Sequence, residues 1–394
     1  MCRLWRILAA LLLILLVTGA IWGSGYIRGL SLVVRAAELD GWLRRAADAG
    51  AVAWHAEPAG TIPTRHGELP ARLYRPDAGF SRAVVLTPGV HAMGIDEPRL
   101  RGLAGELAAS GVAVLTVALP DLMRYRFTPE ATDQIEDAAA WLASQEELAP
   151  DGRVGMMGIS FAGGLTVAAA GRSAIRDRVA FVFSFGGHGD LPRVLRYLCT
   201  GLRPRPPDAP AGATLEHQPP HDYGVAVILI GIAERVVPAD QVDALRHGVE
   251  TFLTASQLTL VDMEQAVATF ERSKRIAASL PEPSATLMRM VNERNTAALG
   301  ARLLPVLEQI DRYPPSLSPE HSPAPAAPVY LLHGTDDTVI PAVETRLLAR
   351  NLEARNTEVH ELLSGLITHA EVDRSAAARE TWRLVRFWAD LLSE

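Results

Sequence analysis

A serine within a run of small residues is the first position in the sequence that could do chemistry. The segment VGMMGISFAGG (154–164) has the pattern of an apolar strand, a tight turn and a helix, with Ser160 in the turn. Gly158 and Ala162 stand two residues before and two after the serine, where the strand and helix backbones crowd together. Such a turn strains the serine and lifts its hydroxyl above the sheet. The pattern predicts a nucleophile, although by itself it also fits an ordinary helix with a serine cap.

An acid and a histidine occur later, each just beyond a predicted strand. In LLHGTDDTVIP (331–341) the strand runs out into an acidic pair, and a proline opens the next helix. We select Asp337 over its neighbour Asp336 because of its spacing to the valine and proline that follow. His369 lies in SGLITHAEVD, on the loop after the last predicted strand. In a triad, the histidine would take the proton of Ser160 and the acid would fix the histidine tautomer.

The elements that must position these residues alternate between strand and helix from residue 83 onward. Nearly continuous aliphatic runs are typical of parallel strands that are covered on both faces. Repeated strand–helix–strand units with short connections predict an α/β fold with a doubly wound, mostly parallel sheet. Residues 60–76, broken by prolines, predict short antiparallel strands at one edge. The predicted parallel strands are Ala83–Leu86, Val112–Leu119, Val154–Ile159, Val179–Phe185, Val329–Leu332 and Val359–Leu363.

The alternation stops near Asp190 and resumes at Val329. Between them, residues 203–222 are proline-rich and irregular, and residues 239–312 have apolar residues at helical spacing. A further proline-rich linker leads back to the sheet. We therefore predict that 191–328 form a helical cap, inserted over the carboxyl ends of the strands.

The cap divides the predicted catalytic core into residues 36–190 and 329–394. Residues 1–35 are predicted to be an N-terminal membrane anchor, because the sequence from Ile7 to Ile27 contains no charge. At about 1.5 Å per residue, such a helix crosses a hydrocarbon core of about 30 Å. A cleaved signal peptide is the alternative. Arginines lie on both sides of the span, so charge does not fix its orientation, and we expect an extracytoplasmic or secreted domain.

Composition limits the classes of function. The net charge is −7, and no basic tract or arginine stripe is present, which argues against a nucleic-acid partner. The two cysteines, Cys2 and Cys199, have no metal-ligand spacing, and the sequence has no HExxH motif and no phosphate loop. We therefore predict neither a metal nor a cofactor.

Taken together, these motifs resemble the α/β-hydrolase superfamily, in particular its dienelactone-hydrolase-like and prolyl-oligopeptidase-like esterases. The likeness covers about 60–190 and 329–392, and it rests on the serine turn, the His-Gly-x-x-Asp segment and the chain order serine, aspartate, histidine. The resemblance implies an α/β-hydrolase fold and an oxyanion hole made by the backbone N–H groups of Phe161 and Val90. In the LTPGVHAMG segment that carries Val90, Pro88 stands where many relatives have histidine.

The predicted function is therefore hydrolysis of a carboxylic ester through an acyl-enzyme, with a small ester or acyl compound as substrate. An acyltransferase or peptidase with the same triad is an alternative. A membrane-tethered binding protein without turnover is a third reading. His91 and His188, near strand ends, could line the pocket, and Asp190 is the substitute acid. The oligomeric state stays open.

Overall fold

The protein is built around one β-sheet. The computed structural model describes residues 25–37, 41–80, 82–210, 212–259, 261–367 and 374–394. The eight strands of the sheet lie in the order β1-β2-β4-β3-β5-β6-β7-β8. The first two pairings, β1 with β2 and β2 with β4, are antiparallel, and the other five are parallel. The strands are β1 (Trp54–Thr64), β2 (Gly67–Pro76), β3 (Arg82–Thr87), β4 (Val112–Val117), β5 (Val154–Ile159), β6 (Val179–Phe185), β7 (Val329–Gly334) and β8 (Val359–Ser364).

Helices cover both faces of this sheet. Alternate strand residues face opposite ways, so Val85 joins the apolar cluster on one face of the sheet and Val84 joins the cluster on the other. The helices are α1 (25–36), α2 (Trp42–Ala49), α3 (Pro98–Ala109), α4 (Pro120–Met123), α5 (Pro129–Ala143), α6 (Phe161–Ala170), α7 (Leu191–Thr200), α8 (Asp222–Gly231), α9 (Ala233–Val236), α10 (Val242–Leu258), α11 (Met263–Ser279), α12 (Ser284–Asn292), α13 (Thr296–Glu308), α14 (Val343–Glu353) and α15 (Arg374–Leu391).

The predicted α/β class and doubly wound sheet are confirmed. An eight-stranded, mostly parallel sheet between two helical layers fits the α/β-hydrolase fold. The aliphatic runs of β4 and β6 are buried along nearly their whole length, as the sequence predicts for strands covered on both faces. The antiparallel edge predicted at 60–76 is a hairpin that begins earlier, at Trp54.

In the described part of residues 191–328, the region that we call the cap, there are seven helices, α7 to α13. The predicted helical spacing over 239–312 corresponds to α10 through α13, and the Asp262 carboxylate caps α11 by accepting the Gln265 N–H at 2.9 Å. The sequence reading missed α7 and α8. Helix α8 carries almost no polar residues, and without a polar face it gives no helical periodicity.

A cluster of polar side chains joins the start and end of this region to the core. We call this cluster, made of Arg193, Glu320, Glu344 and His188, the seam. The Arg193 guanidinium pairs with the Glu320 and Glu344 carboxylates, each at 2.6 Å, and Glu344 is fully buried on α14. Nearby, His188 Nε2 donates to the Leu317 carbonyl at 2.8 Å. Burial lowers the pKa of His188 to about 4, so the ring is neutral at pH 7. The seam fixes the cap's two ends at the loop after β6.

The predicted membrane span falls mainly on residues 1–24, which lie outside the described part of the chain, so the anchor stays a prediction. None of the helices in the described residues has the length and hydropathy needed to cross a membrane. Residues 25–35, which the prediction placed in the anchor, lie in α1 and pack on the core. Leu32 is 1 % exposed, and the nearly buried Arg35 guanidinium donates to Glu106, Ser110 and the Ala47 carbonyl.

We predict that α1 is needed for stability. A chain that begins at residue 36 loses the burial of Leu32 and leaves Glu106 without its cation. Its free energy of unfolding in urea should be lower than that of a chain beginning at residue 25 by about 3 kcal/mol or more. Both chains lack nearly all of the uncharged segment, so they form a matched pair. Equal unfolding free energies would mean that α1 contributes nothing to the core.

The buried histidine of the seam should make the fold acid-sensitive. Because the folded state holds His188 neutral, stability is lost as pH falls from the ordinary pKa of 6.5 toward 4. The maximum slope is about 1.4 kcal/mol per pH unit. Between pH 7 and 5, His188→Gln should therefore lose about 2 kcal/mol less unfolding free energy than the wild type. His247→Gln, at an exposed site on α10, is the control and should follow the wild type. The same loss in all three proteins would rule out His188 as the source.

Candidate active site

The turn between β5 and α6 holds Ser160 in a strained conformation. Ser160 has φ 55° and ψ −134°, a region that residues with side chains seldom adopt. A Cβ added to Gly158 would lie 2.5 Å from both the Ala162 carbonyl oxygen and Thr166 Oγ1, so only glycine fits there. The Ser160 N–H donates to the Phe185 carbonyl at 2.7 Å, which ties the turn to the end of β6. The structure therefore has the crowded turn that the sequence predicts.

The loop after β3 lies directly against this serine. The Cβ position built on Gly89 is 3.3 Å from Ser160 Cβ, which places the Gly89–Val90 peptide beside the candidate nucleophile. On the other side, Phe161 is the first residue of α6, and the N–H groups of a first helical turn have no partner within the helix. Both predicted oxyanion donors are thus backbone groups close to Ser160. Of the two, Phe161 lies at a helix N-terminus, which favours negative charge.

Asp337 lies in the turn after β7, with its carboxylate fixed by the backbone. Its Oδ1 accepts the N–H groups of Val339 at 2.7 Å and Ile340 at 3.0 Å. Its Oδ2 is 3.6 Å from the Cβ position built on Gly186, on the loop that follows β6. Asp336 is exposed. Since β5, β6 and β7 are adjacent and parallel, Ser160 and Asp337 follow strands that end at the same edge of the sheet.

The buried side chain of His333 supports the turn after β7, which carries Asp337. It is fully buried, and its Nδ1 lies 2.7 Å from the Thr345 hydroxyl while its Nε2 lies 2.9 Å from the Ile340 carbonyl. Because the ring must donate to a carbonyl, Nε2 carries the proton and Nδ1 accepts from the hydroxyl. The Nε2 bond therefore holds the turn that carries Asp337, while the Nδ1 bond ties the ring to α14. His333 Nε2 also lies 3.4 Å from Asp337 Oδ2.

The predicted base, His369, lies outside the described residues, so the structure does not place it relative to Ser160 or Asp337. The sequence puts it five positions beyond the end of β8, and β8 pairs in parallel with the strand that leads to Asp337. The histidine stays a prediction that rests on this position in the chain.

The other candidates have structural partners. His91 Nδ1 accepts the Met93 N–H at 3.2 Å, and burial lowers the pKa of His91. His188 is 1 % exposed, with its ring centroid 5.3 Å from that of Phe161. The Asp190 carboxylate caps α7 and lies 2.7 Å from His321 Nε2, so it is occupied beside the seam. Among the described residues, no group of three or more His, Cys, Asp or Glu side chains could hold a metal ion.

The cap contributes a residue that the sequence reading missed. The Tyr223 hydroxyl, on α8, donates to the Val90 carbonyl at 2.5 Å. A polar His-Asp pair followed by an uninterrupted apolar run marks the start of α8 in the sequence, and it could have predicted this helix. Nothing in the sequence indicates that Tyr223 would lie on the loop after β3.

No family model matches the sequence, and no curated protein matches it. Among solved structures, an esterase from the hyperthermophilic archaeon Pyrobaculum calidifontis is 16 % identical, with a TM-score of 0.42, over 93 % of this chain and 92 % of that one. Brefeldin A esterase, a bacterial homologue of human hormone-sensitive lipase, is 16 % identical, with a TM-score of 0.45, over 95 % and 86 %. Thermogutta terrifontis esterase 2 is 13 % identical, with a TM-score of 0.42, over 85 % and 94 %. All three are α/β-hydrolases. At these values the likeness says nothing about activity, and the α/β-hydrolase fold is identified from the chain's own sheet.

Proposed function

We propose that this protein is a serine hydrolase that cleaves carboxylic esters, with Ser160 as nucleophile, His369 as base and Asp337 as the acid that orients the histidine. The observation that carries the proposal is the strained serine packed against the loop of Gly89. A serine that only capped a helix would not need a positive φ or a crowded turn.

The proposed mechanism uses the predicted triad and the two predicted backbone donors. Ser160 Oγ would attack the ester carbonyl while His369 takes its proton, and the oxygen of the tetrahedral intermediate would accept hydrogen bonds from the N–H groups of Phe161 and Val90. His369 would then return the proton to the departing alcohol, leaving an acyl-serine. Water, deprotonated by the same histidine, would release the acid. Asp337 would keep the imidazole in the correct tautomer throughout, with its Oδ1 held by two backbone donors.

We predict that Ser160→Ala abolishes turnover and labelling while the thermal midpoint is nearly unchanged. Loss of a triad member costs on the order of 10⁴-fold or more in kcat. Hydrolysis of p-nitrophenyl butyrate and labelling by a fluorophosphonate probe measure the effect. Ser144→Ala, at an exposed serine just after α5, is the control and should retain both. A folded wild type that neither turns over nor labels would support a binding protein instead, and a labelled Ser160→Ala variant would exclude this serine.

A second prediction separates the two neighbouring acids. Asp337→Asn keeps a side-chain oxygen for the N–H groups of Val339 and Ile340 but removes the charge that the histidine needs. It should lower kcat at least about a hundredfold more than Asp336→Asn does. Steady-state rates on the same ester, with thermal midpoints as a check on folding, make the comparison. If the order were reversed, Asp336 would have to take the role of the acid.

A further inference from the structure

One short segment of the cap donates hydrogen bonds to the backbone of both loops that carry the proposed site. On the oxyanion side, the Tyr223 hydroxyl donates to the Val90 carbonyl at 2.5 Å. On the acid side, the His221 N–H donates to the Thr338 carbonyl at 2.9 Å, and Gln218 Nε2 donates to the Asp337 carbonyl at 3.4 Å. The segment 218–223 thus bridges the loops that follow β3 and β7.

The Tyr223 side chain is held in place from several directions. Its ring packs edge-on against Tyr125, with centroids 6.0 Å apart, and Tyr125 itself donates to Gln257 Oε1 on α10 at 3.3 Å. The six residues after Gly224 in α8 are all buried, so the helix is packed on every side and cannot rotate without steric clashes. Burial also raises the pKa of Tyr223 well above its ordinary value, which keeps the phenol protonated as a donor.

The Tyr223 hydroxyl adds a restraint to a loop segment with little side-chain packing of its own. Gly89 has no side chain, and Val90, which packs against the apolar core, is only partly buried. The Val90 carbonyl and the Val90 N–H belong to consecutive peptide units, so holding the carbonyl limits rotation of the unit that carries the proposed oxyanion donor. A donor to a developing oxyanion must lie within a few tenths of an ångström of its best position.

We propose that Tyr223 is a positioning residue for the oxyanion hole, and that it acts by holding the Val90 carbonyl through its hydroxyl. This inference rests on the proposed function, since it assigns a purpose to the Val90 N–H. Tyr223 itself does not touch the reacting atoms. Through this one contact, the cap would help to position the proposed oxyanion hole.

The test is the Tyr223→Phe variant, which keeps the ring and removes only the hydroxyl. The control is Tyr313→Phe, another cap tyrosine, whose hydroxyl lies 3.5 Å from the Leu307 carbonyl, away from either loop. With p-nitrophenyl butyrate, Tyr223→Phe should lower kcat about tenfold while KM changes less than twofold, because the oxyanion forms only after binding. The inhibition constant of butylboronic acid, whose serine adduct is a tetrahedral anion, should rise by a similar factor. Tyr313→Phe should leave all three values unchanged.

Hydrogen exchange adds a measurement that does not depend on activity. The peptide covering residues 86–94 should exchange faster in Tyr223→Phe than in the wild type, and at the wild-type rate in Tyr313→Phe. An active wild type combined with an unchanged kcat in Tyr223→Phe, or with a change in KM alone, would overturn the inference. So would unchanged exchange in this peptide. An inactive, unlabelled wild type would instead refute the proposed function, and faster exchange would still show that Tyr223 holds the loop.

Discussion

The crowding between β5 and α6 is the constraint on which the proposed site depends. A parallel strand that enters a helix with almost no linker leaves room for nothing larger than hydrogen at Gly158. The backbone of Ser160 takes up the sharp change of direction, which costs on the order of 1–3 kcal/mol. The surrounding buried strands stabilise the turn enough to hold that strain. A fold that needed the serine only as a helix cap could have avoided this cost.

The parallel sheet explains how distant parts of the sequence meet. Loops after β3, β5 and β7 all leave the same edge of the sheet, so the Val90 loop, Ser160 and Asp337 lie along that edge although Asp337 is far along the chain. The cap adds a second constraint at that edge. It is fastened by the Arg193–Glu344 pair, in which the carboxylate is fully buried, and leaving a buried charge without its partner costs about 3–5 kcal/mol.

Much of this arrangement could be predicted from the sequence, because the buried strands carry continuous aliphatic runs and the serine turn has a local glycine pattern. Val154–Ile159 and Val179–Phe185 were predicted with their observed limits. The contact of Tyr223 with the Val90 carbonyl could not be predicted, since α8 is buried on all sides and lacks helical periodicity, and the two residues are 133 positions apart. The prediction that residues 25–35 belong to the membrane anchor was wrong for a different reason. The uncharged run continues into the start of α1, and hydropathy does not distinguish a segment buried in a bilayer from one buried in a protein core.

At the proposed site, the acceptors of the hydrogen bonds from the cap are backbone carbonyls. A carbonyl is present whatever the side chain, so the Val90 and Thr338 side chains can change without loss of the contact. The donor at Val90 is a side chain, the Tyr223 hydroxyl, whereas the donor at Thr338 is the His221 backbone N–H. At Val90, the geometry of the site thus depends on a side chain in the cap more than on the side chain of the loop residue. In the proposed mechanism, loss of the Tyr223 hydroxyl would therefore alter the rate through the position of the Val90 peptide.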